Sequence, residues 1–191
     1  MGQEQRSWRA PPPRLLRPWA KRKEMMRMTR TAERILFLDF DGVLHDENVL
    51  FHPKRGIFMN TPGRVLFEWT PILEELLAPY PEVAIVLSTS WVRVRGFSFA
   101  RSRLSPMLQS RVIGATFHSR YMHPVAFGHL PRGVQVSDDM LRRGPKSWFA
   151  LDDDDFGWPA WCRDNLIKTN GHMGISEPKT QYAIQEMLKR L

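Results

Sequence analysis

Apolar residues in this chain gather into short continuous runs. Residues 35–38 read Ile-Leu-Phe-Leu and residues 83–87 read Val-Ala-Ile-Val-Leu. A continuous run of this kind suits a strand covered on both faces, as in a parallel sheet. The pattern predicts strands over residues 34–39, Val83–Leu87, Arg111–Ala115, Trp148–Leu151 and Leu166–Lys168. Helices are predicted between them. Pro71, at a position where proline is tolerated, opens one over Ile72–Leu77, and Pro79 and Pro81 end it. Others are expected over residues 99–109 and 133–143, the second stopped by Gly144-Pro145. Ser176 is expected to cap a last helix running to Leu191, with Glu177 in its first turn. Residues 46–69 read as a loop or hairpin turning at Lys54-Arg55-Gly56, and residues 116–131 as irregular. The alternation of strands and helices predicts an α/β domain over residues 31–191, built on a parallel sheet with helices on its flanks.

Polar residues stand at the ends of these runs rather than within them. The first run leads into Asp39 and Asp41, the second into Ser88-Thr89-Ser90-Trp91, and the fourth into Asp152 to Asp155. Parallel strands place their carboxyl ends on one edge of the sheet, where open α/β sheets bind ligands. Gly42 lets the chain turn sharply out of the first strand. Residues two apart in a strand point to one side, so Asp39 and Asp41 can face one small volume. Two carboxylates so placed repel unless a cation or a shared proton lies with them. The arrangement points to a metal site, or to a nucleophile beside an acid/base.

Charge changes this picture less than its total suggests. The net charge is +8, but residues 1–30 hold nine Lys/Arg and two acids, whereas residues 31–191 hold nineteen and eighteen. The basic excess therefore belongs to an N-terminal arm that also carries Pro11-Pro12-Pro13 and Pro18. Three readings fit the arm: a disordered extension, a mitochondrial targeting segment, or an upstream extension of a chain that starts at Met28. Within the domain no acid occurs between Glu82 and Asp138, a stretch holding Arg93, Arg95, Arg101, Arg103, Arg111, Arg120 and Arg132. Arginines of this kind suit an anionic substrate, or else a solvated face. One cysteine, Cys162, excludes an internal disulfide and fits a reducing compartment. No apolar run approaches a membrane span, so a cytoplasmic chain with no membrane partner is expected.

In order and strand context, Asp39-Phe40-Asp41-Gly42, Val86-Leu87-Ser88 and Ala150-Leu151-Asp152-Asp153 resemble the motifs of the haloacid dehalogenase (HAD) superfamily of phosphatases. Ser-Thr-Ser-Trp after the second strand and Trp-Phe-Ala-Leu-Asp-Asp-Asp at the fourth are similar to a narrower branch, the HAD domains of Swiss army knife RNA repair proteins. The resemblance implies a three-layer α/β/α Rossmann-like sheet. It implies a phosphatase in which Asp39 attacks phosphorus, Asp41 serves as acid and base, and Ser88 binds a phosphoryl oxygen. It also implies Mg²⁺ held by Asp39, the Asp41 carbonyl, and Asp152 or Asp153. The motif also requires a Lys or Arg before the last acids. Lys146 stands six residues before Asp152, which at ~3.3 Å per residue puts it roughly 20 Å from the catalytic edge. Arg132 precedes the helix leading back to that strand and is the better choice.

Only 47 positions separate Asp41 from Ser88, so the 46–69 segment is left as a small hairpin flap with no large cap. An open site suits bulky phosphorylated substrates, including nucleic-acid ends. The expected partner is a phosphorylated substrate, with nucleic acid as the alternative; a binding module without turnover is a third reading, disfavoured by the intact carboxylate set. Asp154 and Asp155 are expected as solvated loop acids, and His118, His123 and His129 as surface or loop residues. Trp91, Trp148, Trp158 and Trp161 are expected to pack, and Cys162 to be a small buried residue.

Overall fold

The computed structural model describes residues 33–191; the arm of residues 1–30 and its three readings lie outside them. The sheet holds five parallel strands: β1 (Arg34–Leu38), β4 (Val83–Leu87), β5 (Val112–Ala115), β6 (Ser147–Asp152) and β7 (Leu166–Lys168), in the order β5-β4-β1-β6-β7. Helices flank it, α1 (Thr70–Leu77), α2 (Ser90–Arg95), α3 (Phe97–Ser102), α4 (Pro106–Arg111), α5 (Pro124–Gly128), α6 (Arg132–Arg143) and α7 (Pro178–Arg190). The expected three-layer α/β/α Rossmann-like sheet is therefore present. Alternation along β1 explains its continuous apolar run. Leu36 and Leu38 enter the larger core with Leu73, Leu77, Ile184 and Leu188, while Ile35 and Phe37 enter a second core with Val136, Met140, Trp148 and Cys162. A strand buried on both faces has no polar position to spare.

Pairing register decides what stands at the sheet's carboxyl edge. Leu38 pairs with Leu87 on one side and with Leu151 on the other. The next residues, Asp39, Ser88 and Asp152, are thereby level in three adjacent strands. The Ser88 N–H donates to the Leu38 carbonyl at 2.8 Å and the Asp39 N–H to that of Leu151 at 3.1 Å. The chain runs from β1 out to β4 and β5 on one side, then crosses back to β6 and β7 on the other, so the edge beside β1 is the topological switch point, where open α/β sheets bind ligands.

Residues 46–69 contain the expected hairpin, β2 (Val49–His52) paired antiparallel with β3 (Gly56–Met59). Elsewhere the chain departs from the pattern in identifiable ways. The single helix expected over 99–109 is two, α3 and α4, because Pro106 starts a new first turn that the Ser105 hydroxyl caps by accepting from the Leu108 N–H. Helix α2 was not expected; Thr89 caps it. Residues 116–131 include α5. Arg111 ends α4 rather than starting a strand, its guanidinium donating to the Leu77 and Tyr80 carbonyls. The last helix begins at Pro178, with Glu177 at its cap; Ser176 lies in a preceding 3-10 turn and bonds back to Met173. Trp161 is exposed at 61 %, against the packing expected of it, whereas Trp91, Trp148, Trp158 and Cys162 are buried. No helix among the described residues is long and apolar enough to cross a membrane.

Candidate active site

Asp39 is buried at the end of β1, with each oxygen assigned. Oδ1 accepts from the Phe40 N–H at 2.8 Å, and Oδ2 from Arg132 Nη2 at 3.0 Å. Arg132 also lies 3.2 Å by Nε from Asp152 Oδ2 and donates through Nη1 to the Ser88 carbonyl. One guanidinium thus touches the ends of β1, β4 and β6. Lys146 makes none of these contacts; Arg132 makes all three.

Two glycines build the site's walls. Gly42 has φ +68°, and a Cβ there would come within 2.5 Å of Asp153 Oδ2, so the chain leaving Asp41 can pass directly under the Asp153 carboxylate only without a side chain. Gly133 is the second residue of α6, and a Cβ there would meet the Trp158 backbone at 2.3 Å. The loop after β6 is in this way seated against the first turn of α6, the Gly133 N–H donating to the Phe156 carbonyl at 3.1 Å. That seat positions Arg132.

Asp39, Asp152 and Asp153 each offer an oxygen, and the three oxygens lie within 4.8 Å of one another. Arg132 sets one positive charge against these three carboxylates, and the imbalance is visible in their acidities. Burial pushes Asp39 up to about 6, with Asp41 adding to the rise and Arg132 opposing it. Burial and then Asp39 raise Asp152 well above its ordinary value, Arg132 again opposing. Burial, Asp39 and a hydrogen bond shared with Glu47 bring Asp153 to about 7. Burial acts to lower the Arg132 pKa, but Asp39 and Asp152 outweigh it and keep the guanidinium charged. Asp152 Oδ2 is fully buried, with Arg132 Nε near it but no aligned hydrogen bond among the described residues. An all-oxygen donor set with surplus negative charge fits a hard divalent cation such as Mg²⁺.

Asp41 does not bring its carboxylate to this group. Trp91 Nε1–H donates to both its oxygens, at 2.9 and 3.1 Å, and His45 Nε2 lies 3.0 Å from Oδ1. Phe67 closes the box, its ring 5.3 Å from that of Trp91 and 4.8 Å from that of His45. Phe67 has φ +63°, a conformation a bulky residue rarely holds, so packing must impose it. Ser88 Oγ, expected to bind a phosphoryl oxygen, is buried without a hydrogen-bond partner among the described residues. Sequence reasoning did not single out His45, Glu47 or Phe67. The four-residue spacing of Asp41 and His45 was the one local signal; the partnership with Trp91 spans 50 positions and has none.

The arginines of the acid-free stretch divide. Arg101 and Arg111 bond to carbonyls and are structural. Arg95 lies over the Phe51 and Phe99 rings, Arg103 over Phe99, and Arg120 over Tyr121. Asp154 is exposed, and Asp155 pairs with Arg163 and Lys168. His123 and His129 are exposed, while His118 is partly covered and lies 3.4 Å from Asp139.

Among known families, the model of the HAD domain in Swiss Army Knife RNA repair proteins matches the chain over residues 35–180. No curated protein and no solved structure matches.

Proposed function

The chain belongs to the family of HAD domains in Swiss Army Knife RNA repair proteins, and from that premise we propose that it is a Mg²⁺-dependent phosphohydrolase acting on phosphomonoesters through an aspartyl-phosphate. One observation carries the reading: register places Asp39, Ser88 and Asp152 level at the switch point, and a single guanidinium, Arg132, reaches all three strand ends. In this reading an Asp39 oxygen attacks phosphorus and the bond from phosphorus to the ester oxygen breaks. Asp41 gives its proton to the departing oxygen. Asp41 then takes a proton from water, which attacks the same phosphorus, and the acyl-phosphate bond breaks to restore Asp39. The unpartnered Ser88 hydroxyl donates to a phosphoryl oxygen. Asp39, Asp152 and Asp153 would hold the cation, which when bound neutralises charge between carboxylate and phosphate.

Hydrolysis of an aryl phosphate in Mg²⁺ is expected, and it falls to background in Asp39→Asn and on chelation. Retained turnover in Asp39→Asn sinks the mechanism. A second reading narrows the substrate to nucleic-acid ends. It is supported by Arg93, Arg95, Arg103 and Arg120, none of which pairs with an acid among the described residues, and by the repair context in the family's name.

A further inference from the structure

A cleft of about 370 Å³ opens beside the Asp39–Arg132 pair, lined by Arg132 itself together with Thr89, Arg93, His129 and Phe156. That volume is in the range of small-ligand sites. We infer that this cleft is a second subsite, in which Arg93 and Phe156 take the next phosphate and a base of a single-stranded nucleic-acid end. The inference rests on the phosphohydrolase reading above and specifies its substrate.

The charge bookkeeping singles out Arg93. Most donors of Arg132 are already committed to Ser88, Asp39 and Asp152, which leaves little of it for a second anion. Arg93 carries the free cation of the cleft. It has no acid partner and no side-chain hydrogen bond among the described residues. Its guanidinium lies against Gly128, where a Cβ would stand 3.2 Å from the guanidinium carbon, so the glycine leaves room for it on that wall. The one acid on the lining, Asp154, already accepts from the Phe156 N–H at 2.8 Å.

Phe156 supplies the flat surface. It is 70 % exposed, which its ring gains nothing from in water. Its backbone is nonetheless held, because its carbonyl accepts from Gly133 at the start of α6. An exposed aromatic on a held backbone, sharing a cleft with an arginine that has no acid partner among the described residues, is the pairing that single strands use, a base on the ring and the backbone on the cation. A sugar phosphate offers neither a second phosphate nor a flat ring.

The test measures kcat/KM of the full chain in Mg²⁺ for a dinucleotide phosphorylated at its 3′ end, its 5′-phosphorylated isomer, the matching mononucleotides, phenyl phosphate and a phosphotyrosine peptide. In at least one of the two dinucleotide arms a preference over the mononucleotide of about tenfold or more is expected, carried by KM and weakening as salt rises. Arg93→Ala is expected to cut that ratio about tenfold, with Arg93→Lys restoring part of it. Phe156→Ala is expected to narrow the preference for the mononucleotide over phenyl phosphate several-fold. Equal rates on dinucleotide and mononucleotide, a ratio unmoved by Arg93→Ala, or faster turnover of the peptide overturns the subsite and leaves the phosphohydrolase reading standing. Failure to turn over phenyl phosphate removes that reading and the subsite with it.

Discussion

Asp39 and Asp41 are two residues apart and chemically alike, yet their surroundings are opposites. The Asp39 carboxylate is 4 % exposed, lies among other charges and is gripped by a backbone N–H and a guanidinium. The Asp41 carboxylate is 28 % exposed, lies among rings and is gripped by an indole and an imidazole. The first environment suits a nucleophile that must stay fixed beside a cation. The second suits a group that must reach both a leaving oxygen and water. In the proposed mechanism, the difference between the two carboxylates comes from neighbours on α2, α6, the end of β6 and the loops around His45 and Phe67.

Exchanging the chemistry at Asp41 should break the comparison most sharply. Asp41→Asn keeps an acceptor for the Trp91 indole but carries no proton to give. Its kcat should fall on the order of 10² to 10⁴. The loss should be larger for alkyl than for aryl phosphates, whose departing oxygen needs less help; an equal loss on both would remove the acid role.

Arg132→Ala attacks the other pole. It leaves buried carboxylates uncompensated, at a cost of about 3–5 kcal/mol in urea unfolding without metal. The loss should shrink at pH 5, where the carboxyls can take up protons, and Arg132→Lys should recover part of it.

The same pole should give the metal-free protein an inverted pH response. The folded pKa values of Asp39 and Asp153, about 6 and about 7, lie above the ordinary 3.8. Between those limits the folded state binds more protons than the unfolded state, so stability falls as pH rises from about 4 to about 7, on the order of a few kcal/mol. Unfolding midpoints in chelator at pH 4.5 and pH 7.5 check the sign, and Mg²⁺ should stabilise more at the higher pH.

The smallest effect is reserved for the aromatic pole. Trp91→Phe keeps a ring near Phe40 and Phe67 but deletes the N–H to Asp41. About 1–2 kcal/mol of barrier, roughly tenfold in kcat, should be lost with little change in stability.

Much of this molecule is written locally. The run Ile35–Leu38 makes a strand covered on both sides, and Val83–Leu87 another, because a continuous apolar run can be satisfied only between two layers. Once those strands are parallel and adjacent, Asp39, Ser88 and Asp152 share an edge, and the choice of Arg132 follows from where a crossover helix must begin. Helix breaks were less legible, since the pause at Arg103–Ser105 depends on a serine cap that tertiary packing makes worthwhile.

Folding alone settles who stands beside whom across long gaps. Trp91 meets Asp41, and Phe67 is pressed into a conformation it would not choose, because both rings fill the same space over Phe40. Trp161 and Trp158 are three residues apart, but one lies open and the other is covered by the cores. Periodicity reports which residue types alternate along one element. It carries no information on the close approaches at Gly42, Gly128 and Gly133, because these are set by the volume left between elements once they pack.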